Sequence, residues 1–351
     1  MRLEDLIQHP GEWLRGEGEE SDIVISTRVR LARNVAEYPF LSAISEERAR
    51  ELGEYLSGAI EGAKLPEKLS VLQLSKLSVV DRQVLVERHL ISREHAEGKG
   101  ERSVAVDDDE VISVMVNEED HLRIQVLRSG LDLDGAYDRV RRVDEALSAE
   151  VNYAFDGKLG YLTACPTNVG TGMRVSVMVH LPVLVLTKHI RRVHKAVAKI
   201  ALTVRGFYGE GTEATGDLFQ ISNQVTLGKT EEEVLKEVDA VVRRVASYER
   251  QAREQLMKDN QMFLEDRVGR AYHALLGART ISSVETMQHL SAVRTGIHMG
   301  IVRNVTVPCV NELFVLTQPG HLQKIAGEEL DPRRRDAFRS AFIRKRLESS
   351  N

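Results

Sequence analysis

The sequence has few cysteines, no long apolar run and no excess of basic residues, and each absence excludes a class of protein. Its two cysteines, Cys165 and Cys309, are too few for a disulfide framework, which predicts a reducing compartment. The formal net charge of −5 argues against direct binding to nucleic acid, because proteins that coat it need clustered positive charge.

The apolar segments are also too short for a membrane protein. The longest, from Val175 to Leu186, is interrupted by Ser176, His180 and Pro182 and is too short to cross a bilayer. The N-terminal segment MRLEDLIQHPGEWLRGEGEE is charged and lacks the apolar stretch of a signal peptide. We therefore expect a cytoplasmic protein that does not contact membranes.

Periodic patterns predict a mixture of strands and helices before residue 256. The segment from Ser21 to Arg30 alternates with a period of two, and a hairpin is predicted with its turn at Asp107 to Asp109. A helix is predicted after the N-cap residue Ser45, and one long helix from His180 to Leu202. This order of elements favours an antiparallel or mixed sheet with helices packed on it.

Strand signals largely end at Leu256. Apolar residues then recur every three or four positions, and the pair Ser282 and Glu285 has the spacing of a capping box. We therefore predict an α+β catalytic domain in residues 1–255 and an all-α C-terminal domain in residues 256–351.

The usual phosphate-binding loops are absent, whereas arginines are placed where they could replace them. No GxGxxG or complete P-loop motif occurs. Arg28 and Arg30 lie two apart on a predicted strand, so their side chains leave the same face. Arg123, Arg174 and Arg205 follow in other strand or glycine-rich segments. Such a set could hold a triphosphate by bidentate hydrogen bonds, although each arginine alone could equally form a surface ion pair.

Two acidic segments suggest the acceptor of a phosphoryl group. NEEDH ends at His121, and the glycine-rich segment from Gly209 to Gly216 carries Glu210 and Glu213. A protonated guanidinium is a poor nucleophile, and flanking carboxylates could orient it and remove its proton. The alternative interpretation of each acidic run is a solvated turn.

Together these segments resemble the phosphagen kinases, the family of creatine and arginine kinases. STRVRLAR, NEEDHLRI, CPTNVGTGMR and RGFYGEGTEA followed by ISN occur in the family's order, and the resemblance covers Ser21 to Gln251. It implies an antiparallel sheet flanked by helices, ATP with Mg²⁺ as donor and a guanidino acceptor.

The resemblance also implies roles for individual residues. Glu119 and Glu210 would hold and deprotonate the guanidinium, and Cys165 would be the reactive thiol beside the substrate nitrogen. The expected nucleotide-binding residues are Ser26, Thr27, Arg28, Val29, Arg30, His89, Arg123, Arg174, Val175, Ser176, Val177, Met178, Arg205, Gly206, Phe207, Tyr208, Gly209 and Glu210. No metal-binding residues of the protein are expected.

Departures from the metabolite kinases resemble the bacterial protein arginine kinases. Few residues precede STRVR, Met178 and Gln220 replace a His and an Asp of the nucleotide site, and a helical region follows residue 256. In that family an RDxxRA motif binds phosphoarginine, which implies a site at Arg335, Asp336 and Arg339, with Ser340 in place of the motif's alanine.

We therefore expect a kinase of protein arginine residues. A kinase of free arginine or another small guanidine, and an inactive adaptor that reads phosphoarginine, are the alternatives. The resemblance further implies protein substrates with exposed arginines, a zinc-binding activator, a stress-gene transcriptional repressor, a Clp-type unfoldase that degrades marked proteins, and a homodimer or higher oligomer.

Overall fold

An antiparallel sheet forms the centre of the catalytic region. The computed structural model describes residues 10–206 and 214–349, and within them eight strands pair in the order β2-β3-β4-β5-β1-β8-β10-β9. A separate small hairpin pairs β6 with β7. The strands are β1 (Val24–Arg33), β2 (Ser70–Gln73), β3 (Ser103–Val106), β4 (Ile112–Val116), β5 (Leu122–Ser129), β6 (Phe155–Asp156), β7 (Gly160–Tyr161), β8 (Met173–His180), β9 (Leu202–Gly206) and β10 (Leu218–Asn223).

Helices cover one face of this sheet and form the C-terminal region, which confirms the predicted fold class. The helices are α1 (Glu46–Gly62), α2 (Val79–Glu87), α3 (Arg93–Glu97), α4 (Leu133–Ser148), α5 (Pro182–Leu186), α6 (Ile190–Ala198), α7 (Glu231–Gly277), α8 (Ser283–His298), α9 (Val307–Leu316), α10 (Pro319–Ala326) and α11 (Pro332–Glu348). None of the helices described is long and apolar enough to cross a membrane.

Alternation along the strands gives the sheet one apolar and one polar face. Val29 and Leu31 of β1 point into the main core, where they pack with Ile124, Val126 and Val175 of neighbouring strands. Helices α1, α4 and α7 cover this face. The intervening residues, including Arg28 and Arg30, point to the opposite face.

Several local predictions are confirmed. Ser45 accepts a hydrogen bond from the main-chain N–H of Arg48 and caps α1. The predicted hairpin is formed by β3 and β4, and Asp107 Oδ1 accepts a hydrogen bond of 2.7 Å from Ile112 N across its turn. The strand predicted to begin at Gly160 is correct only for Gly160–Tyr161.

The single long helix predicted from His180 to Leu202 is wrong. His180 ends β8, Leu202 begins β9, and α5 and α6 lie between them. Lys188 has φ of +61° between the two helices, a left-handed conformation that interrupts a right-handed helix. The break lets two short helices fold back along the sheet rather than project beyond it.

The C-terminal region has its own apolar cluster, centred on Leu290, Val293, Val310 and Leu313. Helix α7 runs from the catalytic region into this cluster and is interrupted only at Asn260, which has φ −155° and ψ 59°. This break lies close to the boundary predicted after residue 255, which stays a prediction.

A buried hydrogen-bond chain ties the C-terminal helix α8 to the catalytic sheet. Arg294 donates to the carbonyl oxygens of Ser21 (2.8 Å) and Asp22 (3.1 Å), just before β1, and to His180 Nδ1 (3.1 Å) at the end of β8. Since arginine only donates, His180 Nε2 carries the proton and donates to Ser291 Oγ at 2.9 Å. Ser291 donates to Asp217 Oδ2 at 2.5 Å, just before β10.

We expect Arg294→Met to lower the free energy of unfolding on the order of 3 kcal/mol, because it leaves buried carbonyl oxygens without a donor. Urea unfolding followed by circular dichroism measures the change. Arg270→Met is the control, since Arg270 is exposed and pairs with Asp266 on the same helix. Equal stabilities of the two variants would show that this chain of hydrogen bonds does not hold the two regions together.

Candidate active site

The strand register brings four of the predicted arginines together on the polar face. Arg30 on β1 lies opposite Arg174 on β8, and Ala32 on β1 lies opposite Arg123 on β5. Directly opposed residues share a face, so Arg28, Arg30, Arg123 and Arg174 form one cluster across three strands. Arg205 on the neighbouring edge strand β9 lies opposite Gln220 and is exposed.

These arginines repel one another in a poorly hydrated environment. Burial, followed by the charges of Arg174 and Arg123, lowers the pKa of Arg28 to about 10. Burial, then Arg28, Arg123 and Arg174, lower the pKa of Arg30 well below its ordinary value. The pKa of Arg174 is lowered by burial, Arg205 and Arg123. Because guanidinium groups stay protonated, the cluster holds unfavourable positive charge that a polyanion would neutralise.

Two arginines of the cluster, Arg28 and Arg174, donate hydrogen bonds to neutral groups. Arg28 Nη2 donates to Gln220 Oε1 at 2.9 Å, and Arg174 Nη2 donates to Ser222 Oγ at 3.2 Å. The Nε atom of Arg174 is buried and has no hydrogen-bond partner among the described residues. An incoming anion therefore has donors available to it.

A cleft of about 1080 Å³ opens over this face. Arg28, Arg30 and Arg205 form its floor together with Gln125 and Gln220, and helices α2 and α3 form one wall. The C-terminal region contributes Ser283, Gln318 and Pro319. The cleft is thus a positively charged pocket of the size that cofactors and substrates occupy.

The acidic segment NEEDH lies at one end of the arginine cluster. Arg123 Nη1 donates to Glu118 Oε1 at 2.8 Å, and its Nη2 donates to Glu119 Oε2 at 3.2 Å. The Glu119 side chain is 47% exposed, whereas that of Glu118 is buried. Glu119 is therefore the carboxylate that an acceptor from solvent can reach.

The two glutamates differ in their electrostatics. Burial raises the pKa of Glu119, and Asp120 and Glu118 add to this against the opposing charge of Arg123. Burial also disfavours ionisation of Glu118, but Arg123 and the Ser92 hydroxyl outweigh it and the pKa of Glu118 is lowered. A carboxylate with a raised pKa is the better proton acceptor, which suits Glu119 as a general base.

Asp120 connects this segment to the loop that carries Cys165. Its buried Oδ1 accepts hydrogen bonds of 2.7 Å from Asn34 Nδ2 and from the main-chain N–H of Ala164. Thr163 Oγ1 donates to the Cys165 carbonyl at 2.7 Å, and the thiol lies 3.0 Å from Thr167 Oγ1. Cys165 is half-buried and Cys309 is buried. The predicted thiol therefore lies close to the predicted base.

Some residues expected at the nucleotide lie on this face and others do not. Ser26, Ser176 and Met178 share the face of Arg28. The side chains of Val29, Val175 and Val177 lie in the apolar core on the other face, and the Thr27 hydroxyl donates to Gly130 O. Only main-chain atoms of these four residues could contact a ligand, because strand side chains alternate.

His89 lines the cleft, as expected. Its ring packs edge-on against Trp13 with centroids 5.3 Å apart, and burial lowers its pKa to about 3. It is therefore neutral at physiological pH. Gly206 also lines the cleft, whereas Phe207, Tyr208, Gly209 and Glu210 lie outside the described residues.

Two neutral side chains near the arginines, Gln125 and Ser92, are not predicted from the sequence. Gln125 lies two residues after Arg123 and therefore on the same face, and its Nε2 donates to His89 O at 2.6 Å. The same period-two rule would have found it. Ser92, which donates to Glu118 Oε1 at 2.6 Å, has no signal in the sequence because their contact depends on tertiary packing.

The three residues of the predicted phosphoarginine site lie together on α11 but differ in exposure. Arg335 and Asp336 are partly exposed, and Arg335 Nε has no hydrogen-bond partner among the described residues. Arg339 is only 1% exposed; it donates to Thr317 O (2.9 Å) and Ile281 O (2.8 Å) and pairs with Asp336. Its role in binding phosphoarginine stays a prediction.

Comparison with protein families divides the chain in two. Residues 51–252 match the ATP:guanido phosphotransferase C-terminal catalytic domain, and residues 261–351 match the protein-arginine kinase McsB C-terminal domain. The chain belongs to the protein-arginine kinase family.

Individual relatives agree with the family match. A protein-arginine kinase of Desulforamulus reducens is 47% identical over 99% of both chains. One of Brevibacillus brevis is 45% identical over 99% of this chain and 98% of its own. Lombricine kinase has a TM-score of 0.59 at 25% identity, covering 69% of this chain and 71% of its own.

A second solved structure extends the structural comparison. The duplicated taurocyamine kinase of Schistosoma mansoni with bound transition-state analogue components has a TM-score of 0.60 at 26% identity. The match covers 77% of this chain and 39% of that one. Both structural comparisons agree with the match to the phosphotransferase family.

We expect Cys165 to react with iodoacetamide before Cys309, because it is the more exposed of the two thiols and faces the candidate site. ATP with Mg²⁺ and a protein substrate should slow its labelling. Peptide mass spectrometry after timed alkylation measures both rates, with Cys165→Ala as the control for assignment. Preferential labelling of Cys309, or no protection of Cys165, would contradict its location at the reacting groups.

Proposed function

We propose that this protein transfers the γ-phosphoryl group of ATP to arginine side chains of other proteins. The observation that carries the proposal is the cluster of mutually repelling arginines that ends at an exposed glutamate and a cysteine. The triphosphate would neutralise the cluster, and the acceptor guanidinium would meet Glu119 at its end. Family membership supports the same reaction.

In this mechanism the arginines neutralise the phosphate oxygens while Glu119 acts on the acceptor. Arg28, Arg30, Arg123 and Arg174 would hold the nucleotide, with Arg205 at the edge of the cleft. Phosphoryl transfer needs positioning and charge neutralisation more than covalent help. Glu119 would orient the guanidinium and take the proton that leaves nitrogen as the nitrogen–phosphorus bond forms. The thiol of Cys165 would lie beside that nitrogen.

Magnesium would enter with the nucleotide rather than occupy a protein site. The described residues contain no group of three or more His, Cys, Asp or Glu side chains that could hold a metal ion. This fits Mg²⁺, which usually keeps water ligands and binds substrate phosphates. When bound, it would neutralise part of the charge on those phosphates.

A protein-bound arginine is favoured over a free one because the base is accessible from outside. Glu119 is 47% exposed, so a side chain attached to a polypeptide can approach it without entering an enclosed pocket. A kinase of free arginine remains the alternative for the same chemistry. An inactive adaptor is disfavoured because the arginine cluster and Glu119 form a complete charged site.

The wider role follows from the family and forms part of the proposal. We propose cytoplasmic action in the stress response, with a zinc-binding activator, a stress-gene repressor as substrate and a Clp-type unfoldase for marked proteins. A homodimer or higher oligomer belongs to the same proposal. Arg335, Asp336 and Arg339 are proposed to bind phosphoarginine, and the unpaired Nε of Arg335 supports this within the described residues.

A kinase assay with two acceptors tests the proposed reaction. We expect ATP to yield acid-labile phosphoarginine on a denatured protein and little product on free arginine, as quantified by mass spectrometry and ³¹P NMR. Arg123→Ala should reduce transfer by about 10² to 10³-fold, because it removes a charged contact to the transferred group. Arg191→Ala, an exposed change on α6, is the control.

Three results would change the conclusion. Preference for free arginine would make the protein a kinase of small guanidines. Absence of transfer to either acceptor would favour the adaptor. Near-normal turnover by Arg123→Ala would remove that arginine from the phosphate-binding set.

A further inference from the structure

Glu118 is a buried carboxylate that contacts both the arginine cluster and the main chain of the proposed base, Glu119. Its Oε1 accepts hydrogen bonds from Arg123 Nη1 (2.8 Å) and from the Ser92 hydroxyl (2.6 Å). Its Oε2 accepts one from the main-chain N–H of Glu119 at 2.8 Å. One carboxylate therefore fixes the position of a phosphate-binding arginine and of the main chain that carries the base.

Ser92 is the only contributor to this carboxylate that comes from outside the β4–β5 strand pair among the hydrogen bonds described. It is the N-cap residue of α3, where its Oγ accepts a hydrogen bond of 3.0 Å from the main-chain N–H of His95. An ionised carboxylate can only accept, so the single hydroxyl proton of Ser92 must point at Glu118. The Ser92 hydroxyl thus accepts a hydrogen bond from the main chain of α3 and donates its proton to Glu118.

We propose that Ser92 is a positioning residue for phosphoryl transfer: its hydroxyl holds Glu118 in the orientation that places Arg123 and Glu119. The inference rests on the proposed function. Without the hydroxyl, Glu118 keeps one strong partner, Arg123, and is free to turn towards it. That turn strengthens the existing pair between Arg123 and Glu118 at the expense of a phosphate, and the Glu119 main chain loses its fixed acceptor.

The inference explains what the segment ISREHAEGKGERSVAV does in this chain. The segment ends in β3 and supplies both Ser92 and α3. Buried charged groups need several hydrogen bonds to keep one orientation, and here the third bond comes from this segment. The orientation of the catalytic groups therefore depends on a residue in the wall of the cleft.

The electrostatics give a readout that a purely structural role would not change. Glu118 interacts electrostatically with Arg123 and Glu119 beside it, with Arg30 on β1 and with Arg102 before β3. The ring of His95 on α3, which also faces it, is neutral. The Ser92 hydrogen bond contributes to the lowered pKa of Glu118. Its removal raises that pKa, so transfer should begin to fail at a higher pH on the acid side.

The experiment compares Ser92→Ala, Ser92→Thr and Ser45→Ala in single-turnover transfer to a denatured protein. Ser92→Ala should lower the rate at saturating ATP about tenfold or more, with the KM for ATP within about twofold of wild type. Ser92→Thr keeps the hydroxyl and should restore most of the rate. Ser45→Ala removes an equivalent cap from α1, whose residues do not line the cleft, and should leave the rate unchanged.

Each outcome decides the inference. Equal rates for Ser92→Ala and wild type, equal losses in Ser92→Ala and Ser92→Thr, or a changed KM with an unchanged rate would overturn it. If Ser92→Ala does not fold, Ser92→Gly replaces it, since glycine is a tolerated N-cap without a hydroxyl. An inactive wild-type protein would instead contradict the proposed function, so the two failures are distinguishable.

Discussion

Repulsion among the arginines on one face of the sheet is the constraint on which the rest of the structure depends. Burial lowers the pKa of Arg28, Arg30 and Arg174, and the charge of the neighbouring Arg123 lowers the pKa of each of them as well. Such an arrangement costs stability in the free protein and is maintained by packing elsewhere. The apolar opposite face, covered by three helices, supplies that packing. The unfavourable charge is also what makes the face selective for a polyanion.

The C-terminal region takes part in this constraint rather than standing apart from it. Arg294 and Ser291 on α8 belong to a hydrogen-bond chain that contacts the chain just before β1, the end of β8 and the chain just before β10. Strands β1 and β8 carry three arginines of the cluster. Glu87 on α2 accepts hydrogen bonds from the main-chain N–H groups of Gly320 and His321 at the start of α10. A change in the C-terminal region can therefore reach both the floor and the wall of the cleft through buried polar contacts.

Strand periodicity predicted the shared face of Arg28 and Arg30, but only the strand register could show that Arg174 lies opposite Arg30. The same periodicity excludes contacts between the Val29 side chain and a ligand on this face. Val29 was expected at the nucleotide because the resemblance covers a continuous segment, which takes no account of the alternation of side chains. The basic run around Arg339 resembles a solvated helix end, whereas Arg339 itself is buried and its guanidinium donates to main-chain carbonyls. The broken helix after His180 depends on tertiary contacts of α5 with Glu249, which no local pattern records.

The most direct test of this account is the effect of Arg30→Met on stability and on anion binding, measured together. Methionine keeps an unbranched side chain of similar length but removes one of the repelling charges. The account predicts that the variant resists urea better than the wild type in the absence of ligand. It also predicts that the affinity for inorganic tripolyphosphate, measured by calorimetry, falls at least about tenfold. A variant that is less stable and binds tripolyphosphate as tightly as the wild type would contradict the account.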